Sequence, residues 1–103
     1  VTAAGWQGML SISPLRCTGT RGAVTFVFDL SSSAMIEVVV ENLLGEPVKV
    51  LAQRLVEAGP VQCAWDGVDA TGRPVPAGQY VCRVTARAED GQQVSAFRVF
   101  EWR

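Results

Sequence analysis

Two carboxylates, Asp66 and Asp69, stand three residues apart among Gly67, Gly72 and Gly78, directly after Trp65. Acids so placed suit three chemistries. A calcium loop wants alternating oxygen ligands and a bidentate Glu at about position 12; counted from Asp66, that position is Ala77. A retaining glycosidase wants two carboxyls about 5 Å apart in a sugar-binding cleft, and two acids on adjacent turns bring no cleft with them. In turns, Asp side chains accept hydrogen bonds from nearby backbone N–H groups and glycine supplies positive φ. This last reading fits the spacing best and makes the stretch a set of turns around Trp65. Trp65 is then expected to plug the core, with one partner for its indole N–H; an exposed sugar platform is the alternative.

The remaining composition narrows the chemistry further. Histidine is absent, which removes the commonest general base, the commonest metal ligand and the usual partner of a nucleophilic Ser or Cys. Cys17, Cys63 and Cys82 show no CxxC spacing, so neither a zinc nor a redox motif is present. Cys63 and Cys82 are expected to face one interior, where they either bridge two sheets or sit as small buried hydrophobes. Cys17 is then an odd thiol on a loop, free or available for an intermolecular bond. The net charge of -1 argues against a nucleic-acid partner. No apolar run is long enough for a transmembrane helix, so membrane insertion is not expected. No enzyme, cofactor or metal site is expected.

The elements that must position these residues read as short strands with turn punctuation. Residues 9–13 suggest a first strand stopped by Pro14, and residues 14–22 a loop. From Ala23 to Leu30 the pattern alternates, with Val24, Phe26, Phe28 and Leu30 on one face. Met35 to Glu41 alternates again. Asn42-Leu43-Leu44-Gly45 is a hairpin loop in which Gly45 can take positive φ. Pro47 to Ala52 returns as a strand, and residues 53–60 suggest an irregular connection. Val61, Cys63 and Trp65 share a face, as do Tyr80, Cys82 and Val84. Asp90-Gly91 is a favoured hairpin dipeptide. In the last strand, 93–102, Phe97 and Val99 occupy one face and Phe100 and Trp102 the other, so its parity stays open. About seven strands without a long helix imply an all-β, immunoglobulin-like antiparallel β-sandwich, with residues 9–103 as the domain and 1–8 as a linker or an exchanged strand.

"IEVVVENLLGEPVKVL", "AGPVQCAWDG" and "GRPVPAGQYVCRV", in that order, resemble the immunoglobulin-like domain first described in the flagellar hook-cap protein. Related domains close many secreted bacterial proteins, including type IX secretion cargo, and "LSISPLRC...VTFVFDL" fits the first strands of that C-terminal version. The resemblance spans about Met9 to Trp102. It implies a non-catalytic sandwich, extracellular or on the bacterial surface, that serves as an assembly module, a sorting signal or an accessory domain. Tyr80 is expected to anchor its strand end through its hydroxyl, as tyrosines in such sandwiches do. The chain departs from relatives in placing Val27, Val39 and Val50 on outward faces, and it ends on "FRVFEWR" instead of a short basic tail.

These departures set the expected partner. Val27, Val39 and Val50, together with Phe100 and Trp102 or else Phe97 and Val99, would leave apolar surface for a protein partner. That partner would be another copy or an adjacent domain; carbohydrate is unlikely. The N-terminal segment, with Trp6 and Met9, is expected to be the piece that crosses between subunits. Arg83 and Arg87 are expected on a solvated, ion-paired outer face.

Overall fold

A computed structural model describes residues 9–20 and 22–103, and the described residues contain seven strands and no helix. The strands are β1 (Arg16–Thr20), β2 (Ala23–Leu30), β3 (Ala34–Glu41), β4 (Pro47–Val56), β5 (Gly59–Trp65), β6 (Gly78–Arg87) and β7 (Gln93–Trp102). They form a three-stranded sheet in the order β1-β2-β5 and a four-stranded sheet in the order β4-β3-β6-β7. All strand pairs are antiparallel. This is the immunoglobulin-like sandwich that the strand spacing implied.

Alternation explains why these segments pair as they do. In β2 every second residue is buried, from Val24 to Leu30, and Thr25, Val27 and Asp29 face outward. The opposing sheet supplies Ile36, Val38 and Val40 from β3 and Cys82 and Val84 from β6, all fully buried. Two apolar faces close on each other, and the hydrophobic gain of about 1.5–3 kcal/mol per buried large side chain holds the layers together.

Three boundaries differ from the sequence reading. Residues 9–13 form no strand; Ile12 makes a single bridge to Leu30, flanked by Ser13 N–H to Asp29 O and Ser31 N–H to Ser11 O, both close to 3 Å. The first strand instead lies at 16–20, inside the expected loop, because Arg16 to Gly19 find partners on Val27 to Val24. The expected irregular connection at 53–60 is strand on both sides. β4 runs on to Val56 in register with Ala34, and β5 starts at Gly59. Trp6 and the expected exchanged segment, residues 1–8, lie outside the described residues.

Candidate functional site

The Trp65 stretch forms one end of the sandwich. β5 delivers Trp65 into the core, where it is 1% exposed, so it offers no platform for a sugar. Its indole N–H donates to Val68 O at 2.8 Å. Around it gather Tyr80, with ring centroids 5.4 Å apart, Phe100 at 5.7 Å and Trp102 at 5.1 Å. Phe26 joins edge-on to Phe100 at 4.9 Å. The Tyr80 hydroxyl donates to Pro76 O at 2.6 Å and ties the chain entering β6 to its own strand.

The glycines and acids fold a lid of turns over these rings. Gly67, at φ 80, lies so close to Trp102 that a Cβ there would overlap the indole. Val75 N–H donates to Gly67 O, Gly72 N–H to Asp69 O, and Ala70 N–H to Val48 O on β4, which docks the lid to the second sheet. Asp69 Oδ1 accepts from Thr71 N–H at 2.9 Å, the Thr71 hydroxyl at 2.6 Å and Arg73 N–H at 3.1 Å. The Thr71 hydroxyl, with the backbone bonds behind it, holds the Asp69 carboxyl below its ordinary range. Asp66 is exposed at the end of β5. Among the described residues no three Cys, Asp or Glu side chains converge as a metal site. The NLLG loop works in the same way. Asn42 Oδ1 accepts from Leu44 and Glu46 N–H at 2.9 and 3.0 Å, and Gly45 turns the chain at φ 85.

The cysteines face inward as free thiols. Cys63 and Cys82 are buried from opposite sheets as free thiols, and packing as small hydrophobes accounts for them without the bridge considered from the sequence. Cys17 is on β1, not on a loop, and is half-buried against the core. Burial raises all three pKa values, that of Cys82 to about 12, which leaves the thiols protonated and poor nucleophiles.

The outer face of the four-stranded sheet differs in character. Val50 on β4, Val39 on β3, Arg83 on β6 and Phe97 on β7 stand in register as one row across all four strands. The Arg83 guanidinium lies 5.5 Å from the Phe97 ring centroid and donates from Nε to Glu41 Oε1 at 3.1 Å. The next row is Glu41, Val81 and Val99. Phe97 is 62% exposed, Val50 48% and Val99 47%. Beyond a polar row of Gln53, Glu37, Thr85 and Ser95 comes a second apolar pair, Leu55 and Met35, in line with Arg87 and Gln93. Arg87 spends its guanidinium on Gln93 Oε1, at 2.9 and 3.2 Å.

Several expected interface residues lie elsewhere. Phe100 is buried and Trp102 is packed on Trp65, so β7 presents Phe97 and Val99 outward. Val39 faces outward by parity yet is nearly covered, since Val50 and Arg83 flank it; it is the floor of the patch. Val27 belongs to the opposite face, half-buried on β2 between Arg16 and Gln62. Met9 is exposed, and its carbonyl accepts from the Ser31 hydroxyl at 2.9 Å.

The sequence profile of the FlgD Ig-like domain matches residues 13–90. The chain belongs to the FlgD Ig-like domain family. The crystal structure of FlgD from P. aeruginosa superposes with a TM-score of 0.67 at 22% identity, over 89% of this chain and 70% of that one. FlgD from Xanthomonas campestris, whose structure is described in terms of hook capping and flagellar assembly, gives 0.64 at 24% identity, over 97% and 73%. At these identities the likeness carries the fold. No curated protein matches the chain. The family match spans β1 to β6 and ends before β7, so it includes the turn lid over Trp65 and three of the four strands of the apolar face.

Proposed function

We propose that this FlgD Ig-like domain is a non-catalytic assembly module of a structure built outside a bacterial cell, and that it binds protein through the outer face of β4-β3-β6-β7. The observation that carries this reading is the row Val50, Val39, Arg83 and Phe97, with Val99 beside it. Apolar side chains flank one paired arginine there, a composition typical of protein contacts. Burying what remains exposed of Phe97, Val99 and Val50 is worth on the order of 3 kcal/mol. Association costs at least ~4 kcal/mol in lost freedom. This face therefore acts within an array or beside a tethered neighbour, where effective concentration makes weak contacts sufficient. The hook-capping relatives support assembly over the sorting role suggested by the likeness to type IX cargo, and a shallow apolar sheet suits protein better than sugar.

The test is association of the intact chain and of Phe97→Lys, by light scattering and by binding to the neighbouring domains of the parent protein. Close to its solubility limit, or tethered to its neighbouring domains, the parent should associate and Phe97→Lys should not, with both melting alike. A chain that stays monomeric at its highest soluble concentration and ignores its neighbours refutes the reading.

A further inference from the structure

A sandwich has four edge strands, and three of them here are blunted. β1 is five residues long and contains Gly19. β4 begins at Pro47, carries Lys49, and its pairing with β3 is broken by register shifts at Val38/Val39 and Val40/Glu41. β5 opens on Gly59-Pro60. Short strands, Pro, Lys and bulges are the usual means of stopping an edge from recruiting another strand. β7 has none of them. It pairs with β6 over ten consecutive residues without a shift, and its sequence QVSAFRVFEW contains no Gly, Pro or Lys. Its one inward charge, Arg98, is tied across the rim to Leu15 O at 3.1 Å. Among the described residues, no backbone hydrogen bond from a loop satisfies the free edge of β7.

We infer that the β7 edge pairs with β7 of a second copy, antiparallel and centred on Phe97, joining two four-stranded sheets into one. This rests on the assembly reading above and names its partner. Self-pairing about Phe97 sets Ser95 opposite Val99, Ala96 opposite Arg98 and Gln93 opposite Glu101, so no like charges meet. Moving the register by one residue at each strand, to a centre on Arg98, puts the two arginines face to face. Moving it the other way, to a centre on Ala96, shortens the overlap. The chosen register uses residues 93 to 101 of both strands and places the two Phe97 rings side by side. The apolar rows of both copies, from Val50 to Phe97, then form one continuous band.

Register-specific crosslinking tests this. Each variant is made in a Cys17→Ser background and treated with diamide, which takes two electrons and two protons from a thiol pair as the S–S bond forms. Phe97→Cys should give a covalent dimer. Ser95→Cys and Val99→Cys should each stay uncrosslinked alone and crosslink when mixed, because opposed strand residues lie within disulfide reach. If the intact chain associates but crosslinking ignores this register, edge pairing is wrong while the assembly reading stands. If the intact chain neither self-associates nor binds its neighbouring domains, both fail. If it is monomeric and only a chain lacking residues 1–8 dimerises, its own N-terminal segment occupies the edge and the inference is overturned.

Discussion

β7 feeds two regions that share residue types and differ in everything else. Phe100 and Trp102 turn inward to Trp65 and Tyr80; Phe97 and Val99, on the same strand, face solvent. At the inner region the buried ring groups and the lid carboxylate have local partners: the Trp65 indole on Val68, the Tyr80 hydroxyl on Pro76, the Asp69 carboxylate on Thr71 and Arg73. The outer region has apolar area beside Arg83, which is paired with Glu41, and Phe97, Val99 and Val50 stay about half-exposed or more among the described residues. Aromatic residues satisfied from all sides stabilise a fold. Aromatic residues left bare on a regular sheet are available to another molecule.

The comparison breaks most visibly at Trp65. Trp65→Ala removes the ring that Tyr80, Phe100 and Trp102 share, and core truncations of this kind cost about 3–5 kcal/mol. For a domain whose total stability is about 5–15 kcal/mol, this is a large share, and the melting temperature should fall steeply. Thermal melting checks this; a variant that melts like its parent would mean the aromatic end holds nothing together. Gly67→Ala should cost somewhat less, about 3 kcal/mol, from the left-handed backbone and the collision with Trp102 together. In a Trp102→Ala background, Gly67→Ala should cost less than it does in the parent, because the collision is then gone and only the backbone strain remains.

How much of this was legible follows from where alternation carries information. β2 could be read directly, since Thr25 and Asp29 mark its outward side and its inward side is wholly apolar. β7 could not: Phe97, Val99, Phe100 and Trp102 make both parities apolar, and only the opposing rings of Trp65 and Phe26 decide which pair is core. β1 was hidden for a different reason. Its residues, RCTGT, have loop composition, and their extended form comes from pairing with β2. The long β4 was missed because Gln53, Arg54 and Leu55 are all exposed and show no period at an edge. The turn lid was legible from Asp, Gly and Pro spacing. The contact of Arg83 with Phe97 was not, because cross-strand register had to exist before those side chains could meet.

The outer region is sharpened by two lysines. Phe97→Lys and Val27→Lys both add charge at exposed or half-exposed strand positions, and each should change stability by less than ~1 kcal/mol. Only Phe97→Lys should abolish association, since Val27 lies on the other sheet, beside the Arg16–Asp29 ion pair at 3.3 Å. Light scattering on both variants decides the matter. Loss of association with Val27→Lys would move the interface to the three-stranded sheet.

The smallest effect belongs to the lid's carboxylate. Asp69 is held below its ordinary pKa by the Thr71 hydroxyl first, then by the Arg73 backbone N–H. A carboxyl whose folded pKa is depressed adds stability that is complete above the unfolded value, about 3.9, and is lost as pH falls through the lower folded value. Asp69→Asn keeps an oxygen acceptor for the Thr71 and Arg73 N–H groups and gives up the titration. The parent should therefore lose melting temperature between neutrality and strong acid more steeply than Asp69→Asn, with the two curves converging at the acid end. Asp90, lowered by the Gln92 backbone N–H, titrates in the same window, so the comparison is best made in an Asp90→Asn background. The variant's exposed position keeps the difference small. Parallel pH curves for the two proteins would mean that the Asp69 turn contributes through shape alone, and that its charge does nothing for the aromatic end it covers.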